Sequence, residues 1–158
     1  MAATEQREKS PRLQPRWFIR SFWAVQRALY RASRGRLGLR RATATQWGMV
    51  RLRTIGRRSG VERAAILGYF EDGRDLVTMA MNGWADPEPS WWLNLQANPD
   101  AVVDLPDGPR AVRGRAARPD ERPRLWERWK ACDGADLDGY AAYRSRETAV
   151  VILSPRTE

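Results

Sequence analysis

Three runs decide the fold: TQWGMVRLRT (45–54), RAAILGYF (63–70) and DLVTMAM (75–81). Each is short, rich in large apolar residues and bounded by glycine-bearing turns, which reads as three strands in consecutive hairpins. The first two are joined across Gly56-Arg57-Arg58-Ser59-Gly60. The second and third are joined by Glu71-Asp72-Gly73-Arg74, whose Asp-Gly pair is a strong hairpin signal.

Working outward, Pro87 and Pro89 open a short helix over about 89–97, which stops at Asn98-Pro99. Strands follow over 100–105 and 110–118, joined by Pro106-Asp107-Gly108. A helix over about 120–132 puts Leu125, Trp129 and Cys132 on one face. An Asp/Gly-rich loop spans 133–139, and TAVVIL (148–153) reads as a last, central strand. About six short strands with hairpins rather than β-α-β alternation predict an α+β, mainly β, small barrel with packed helices.

Upstream, residues 1–15 are polar, hold two prolines and read as a disordered tail before one domain over 16–158. Residues 16–34 read as an amphipathic helix. Phe18, Phe22, Val25 and Leu29 are spaced 4, 3 and 4, so at ~100° per residue they form one stripe. Arg16, Arg20, Arg27, Arg31 and Arg34 lie opposite. The plain expectation is an apolar side packed inward and arginines in solvent. The sharper one gives the arginines an anionic ligand or an anionic membrane surface, with Trp17, Trp23 and Tyr30 near the flanks.

The 158-residue chain has 28 Lys+Arg against 19 Asp+Glu, a net charge of +9, and all its cations but Lys9 and Lys130 are arginine. An anionic partner follows, though no RNP, zinc or helix-turn-helix pattern supports a nucleic acid. With no histidine and one cysteine, Cys132, the chain excludes His-dependent nucleophile systems, an internal disulfide and thiolate metal clusters; no metal is expected. No apolar run reaches the ~18 residues of a span. The N-terminus carries no signal-type apolar region, so a cytoplasmic location is expected, with peripheral contact at the inner face of the membrane through helix 16–34.

Three segments hold groups suited to chemistry. The 56–60 turn offers backbone N–H groups, two guanidinium forks and a hydroxyl, with Arg63 three residues on. That set suits a phosphate, or is simply a solvated basic hairpin tip. Met81-Asn82-Gly83-Trp84 and the 89–99 helix bring amides (Asn82, Asn94, Gln96) and the adjacent Trp91 and Trp92, which cannot both enter one core. Tyr140 and Tyr143 lie one helical turn apart and offer phenols to a developing oxyanion, or are ordinary amphipathic aromatics.

Together, Leu52–Gly60 with Arg63, Asn82-Gly83, Pro89, Trp91, Asn94-Leu95 and Ala97-Asn98-Pro99 resemble the deazaflavin-dependent nitroreductases, oxidoreductases that use coenzyme F420. The resemblance covers about residues 16–155 and implies a split β-barrel of the FMN-binding kind. It implies that Arg57, Arg58, Ser59 and Arg63 hold the anionic arm of the cofactor. It places Ala80, Met81 and Asn82 along the deazaflavin edge, with Trp91, Asn94 and Gln96 beside ring and tail. Tyr143, with Tyr140 as partner, would orient substrate and assist protonation. The implied reaction is hydride transfer from reduced F420 to a small electron-poor acceptor, a quinone, enone or nitro compound. The alternative on the same fold is a non-catalytic deazaflavin carrier. Trp84 stands where this family commonly has a small residue, and Ile66 and Ala149 where it often has proline, mostly on the substrate side.

Overall fold

The computed structural model describes residues 15–33 and 38–157. In chain order the elements are helix α1 (Arg16–Ala32), strands β1 (Gly48–Ile55), β2 (Glu62–Asp72) and β3 (Asp75–Met79), a 3-10 turn at Asn82–Trp84, helix α2 (Ser90–Ala97), strands β4 (Asp100–Leu105) and β5 (Gly108–Ala116), helices α3 (Arg122–Asp133) and α4 (Leu137–Ala141), and strand β6 (Val150–Pro155). The strands close a barrel in the order β1-β2-β3-β6-β5-β4, every neighbouring pair antiparallel, with β4 returning to β1. The small antiparallel barrel expected from the hairpins is present, and β6 lies between β3 and β5.

The β2–β3 hairpin pairs Asp72 with Asp75, leaving Gly73 and Arg74 as its loop; Gly73 has φ 63°, the sign that such a loop demands of its first residue. Burial separates the strands into two kinds. β4 alternates strictly, one face in the barrel and one in solvent. β6 is buried at four consecutive residues, because one face fills the barrel and α3 covers the other. Inside lie Val50, Leu52, Tyr69, Leu76, Val103 and Leu153. Outside, Leu125, Trp126 and Trp129 of α3 pack on Phe70, Val77 and Ile152. Each such burial contributes about 1.5–3 kcal/mol.

Two expectations change. Residues 45–47 precede the sheet rather than joining it, and the 133–139 loop contains the start of α4. Gly134 ends α3 at φ 66°, and Asp136 caps α4 by accepting from Gly139 N at 2.9 Å.

The orientation of α1 reverses the packing expected of an amphipathic helix. Phe18, Phe22, Val25 and Leu29 are 43–57% exposed, while Arg20, Ala24 and Arg27 face a cavity beside β2. Among the described residues, none of α1 belongs to the apolar core of the barrel or to that of α3, and α1 brings Arg20, Ser21, Ala24 and Arg27 to the cavity. The side chains of Arg16, Trp23 and Tyr30, the whole of Arg34, and residues 1–14 of the expected tail lie outside the described residues.

Candidate active site

A cavity of about 760 Å³ opens beside β2, within the size range of small-molecule and cofactor sites. Its floor is β2 from Ala64 to Gly68, and its walls are the 81–84 turn, Trp91 of α2, Trp47, and Trp129 of α3, with Arg20 and Arg27 of α1 above. The floor sets the small residues Ala64, Ala65 and Gly68 beside Ile66 and Leu67. A Cβ at Gly68 would stand 3.2 Å from the Trp47 ring. Thr78 donates its hydroxyl to Gly68 O at 2.8 Å and ties the floor to β3.

The wall at 81–84 is held in an uncommon conformation. Asn82, Gly83 and Trp84 have φ of 47°, 61° and 65°, all left-handed. Glycine and asparagine tolerate this; a bulky tryptophan does so at a cost of about 1–2 kcal/mol. Asn82 Nδ2 donates to Pro87 O at 2.7 Å, and the Trp84 ring stacks on Tyr140, centroids 5.8 Å apart and 15° from parallel. Tyr140 is placed in turn by α4, which Asp138 fastens to α3. Asp138 accepts from Trp126 Nε1 at 2.7 Å and from Lys130 Nζ at 2.9 Å, and these donors hold its carboxyl below the usual range, Lys130 most strongly. Asp133, at the cavity rim, goes the other way: loss of solvent raises its carboxyl, partly offset by Trp47.

The cationic turn leads into the cavity floor, since Arg63 precedes Ala64 in β2, but Arg57, Arg58, Ser59, Arg63 and Asn94 do not themselves line the cavity. Asn94 is buried. Its Oδ1 accepts from Arg57 N at 3.1 Å and Arg57 Nη1 at 3.3 Å, and its Nδ2 donates to Thr54 Oγ1 at 3.3 Å. Asn94 therefore braces the turn from beneath. Most of the turn's N–H groups are used internally: Gly56 N to Val61 O, Gly60 N to Gly56 O, Val61 N to Ser59 Oγ and Arg57 N to Asn94. Arg57, Arg58, Ser59 and Arg63 are exposed, and among the described residues Arg58 and Arg63 have no carboxylate partner. Arg51, Arg53, Arg113, Arg115 and Arg124 each face one.

The predicted residues thus fall into groups. Met81, Asn82, Trp91 and Tyr140 line the cavity. Ala80 is buried just behind it, its N–H donating to Ala149 O at 2.9 Å. Gln96 is exposed on α2, and Tyr143 is 46% exposed; neither lines the cavity. The sequence reading missed Trp47 and Asp133 as cavity residues and read Trp129 only as core. No local pattern marks them, because Trp47 reaches Gly68 through the pairing of β1 with β2, and Asp133 and Trp129 reach the cavity through the packing of α3. Among the described residues no cluster of three or more metal-ligating side chains exists.

A closed six-stranded antiparallel barrel of this kind is the split-barrel fold. A solved F420-H2 dependent reductase (FDR-A) shares this fold at 25% identity, covering 67% of this chain and 93% of that one with a TM-score of 0.60. A domain-swapped dimer shares it at 24% identity, covering 89% of this chain and all of the other with a TM-score of 0.64. The sequence model of the F420H(2)-dependent quinone reductase family matches residues 23–155, and the chain belongs to that family. It is 30% identical over 133 residues to the F420H(2)-dependent quinone reductase Rv1261c of Mycobacterium tuberculosis, covering 82% of this chain and 87% of the relative. The putative F420H(2)-dependent quinone reductase Rv3178 of the same organism is 36% identical over 101 residues, 63% of this chain and 83% of that one. The chain is therefore an F420-dependent oxidoreductase of the quinone-reductase type.

Proposed function

We propose that the cavity beside β2 binds the deazaflavin ring of coenzyme F420, that the 56–63 turn holds its anionic arm, and that a quinone-type acceptor enters from the Trp84–Tyr140 side. The donor set suits such a cofactor: an apolar floor from Ala64 to Gly68, an aromatic wall at Trp91, and, on the turn that leads into β2, guanidinium groups without carboxylate partners. The observation that carries this reading is the pair Arg58 and Arg63, exposed and without a carboxylate partner among the described residues on the hairpin whose β2 strand floors the cavity, whereas Arg51, Arg53, Arg113 and Arg115 of the barrel strands meet acids.

When bound, the reduced cofactor supplies a hydride, so the protein needs no metal and no histidine. The chain's own part is placement and charge. Arg58 and Arg63 bind the anionic arm; Asn94 and Thr54 keep Arg57 and its turn in register. Arg20 and Arg27 add positive charge at the mouth. The Tyr140 hydroxyl is the cavity-lining phenol, suited to donate a hydrogen bond or proton to the acceptor oxygen as negative charge develops there. Tyr143, on the surface beside it, has the lesser claim. An enone or nitro compound presents the same electron-poor centre as a quinone.

Two measurements test this. Titration with oxidised F420 should change its fluorescence with saturation; an unchanged signal sinks the reading. Oxidation of the reduced cofactor by menadione should be faster with protein than without. An equal rate would leave only a carrier.

The exposed stripe Phe18, Phe22, Val25 and Leu29, with Trp17 69% exposed beside it, supports peripheral contact of α1 with a membrane surface. Among the described residues no helix is long and apolar enough to cross one. Co-sedimentation with anionic vesicles that disappears in Phe18→Asp/Phe22→Asp is the expected result.

A further inference from the structure

We infer that Arg144 is a positioning residue that holds the 80–88 wall of the cavity in its working shape. The inference rests on the functional reading above only for its kinetic consequence. Arg144 lies four residues after Tyr140, and its side chain is wholly buried. Its guanidinium reaches across the chain to the wall. Nη1 donates to Ala80 O at 2.9 Å, Nε to Ala85 O at 3.0 Å and Nη2 to Asp86 O at 3.4 Å. Nη2 also meets Glu88 Oε1 at 3.3 Å, and Nη1 meets Thr148 Oγ1 at 3.0 Å. The next residue repeats the link: Ser145 Oγ donates to Asp86 Oδ2 at 2.7 Å, and Ser145 N to Asp86 Oδ1.

These bonds span exactly the stretch that needs them. Between Ala80 and Ala85 the backbone runs through three left-handed residues, and apart from Ala80 N to Ala149 O its other bonds are short-range: Trp84 N to Met81 O, Ala85 N to Asn82 O, and Asn82 Nδ2 to Pro87 O. A turn of this kind persists only when its surroundings over-determine it. The planar fork of arginine suits three carbonyls and a carboxylate in different directions; the ammonium of lysine has only three donors and no fixed plane. By fixing both ends of the turn, Arg144 sets where Met81 and Trp84 stand relative to the β2 floor, and so how an acceptor is seated.

Amide hydrogen exchange and kinetics on the full chain test this. In Arg144→Met, amides of residues 81–88 should exchange at least about tenfold faster while those of β1 (48–55) stay unchanged, and the acceptor KM should rise about tenfold. The deazaflavin Kd should move several-fold less. Arg144→Lys, which keeps the charge, should fall between the two and recover part of the KM; it also carries the test if Arg144→Met does not fold. Exchange that rises evenly over the whole barrel, or exchange in 81–88 that matches the wild type in Arg144→Lys, overturns the inference. If the wild type shows no turnover with menadione, the functional reading fails, and the exchange pattern still decides the role of Arg144.

Discussion

Arg58 and Arg144 carry the same group to opposite ends of its range. Arg58 stands in solvent on the β1–β2 turn without a carboxylate partner among the described residues, whereas Arg144 is wholly buried under five hydrogen bonds. In the proposed reading the first meets a ligand, while the second is consumed by the protein. In a chain with this many arginines, composition indicates an anionic partner but cannot say which side chains wait for it. Exposure and pairing decide that.

The sharpest test of the contrast sets stability against affinity. Arg144→Met leaves Glu88 without its closest cation, at a site only 15% exposed, and should cost stability locally, with limited proteolysis within 80–88 at least about tenfold faster while the global midpoint in denaturant moves little. Arg57→Ala/Arg58→Ala should leave the midpoint almost unmoved and weaken F420 binding by about 10–100-fold, the value of one charge-assisted bond. If the double variant loses stability at unchanged affinity, the turn is structural and the comparison collapses.

Asn94→Ala probes the border between the two kinds. It removes the acceptor of Arg57 N and the partner of Thr54, at about 1–3 kcal/mol, and by loosening the turn should also weaken F420 binding several-fold in fluorescence titration. Loss of stability alone would make Asn94 a core residue and nothing more. Tyr140→Phe, at the far side of the cavity, should slow menadione reduction by at least about tenfold at unchanged F420 affinity, with a smaller effect for Tyr143→Phe. The reverse order would move the proton donor to the surface tyrosine.

The smallest effect is on the surface of β5. Glu121 takes both forks of Arg115, at 2.7 and 2.9 Å, and accepts from Arg118 N at 2.9 Å; Arg115 first, then that N–H, lowers its carboxyl from 4.5 to about 2. A depressed carboxyl adds stability that is present above its unfolded value and is lost as pH falls through its folded one. Thermal melts of wild type and Glu121→Gln should therefore differ above about pH 4.5 and converge towards pH 2. A gap that persists at pH 2 would show that this bridge is not what titrates.

Much of this was legible in the sequence, and the reason differs from part to part. Hairpin turns are local, so Gly73 and the Pro106–Gly108 loop announced antiparallel pairing without knowledge of the rest of the chain. The cationic turn was equally visible, because Arg57, Arg58 and Ser59 are neighbours. Its bracing by Asn94, 37 residues away, was visible only as an amide of unknown use. Arg144 gave no signal at all, since its partners Ala80 and Glu88 lie 64 and 56 residues upstream. The stripe on α1 was read correctly as a stripe, yet its direction was reversed.

By itself, then, the sequence determined the strands, the order of the hairpins, the basic turn and the family to which these belong, because each rests on residues close together in the chain. Only the tertiary structure decided which arginine is spent on the protein, which tyrosine reaches the cavity and which way α1 faces. Those outcomes depend on what barrel closure buries and what it leaves open, and closure brings together groups that no local pattern connects.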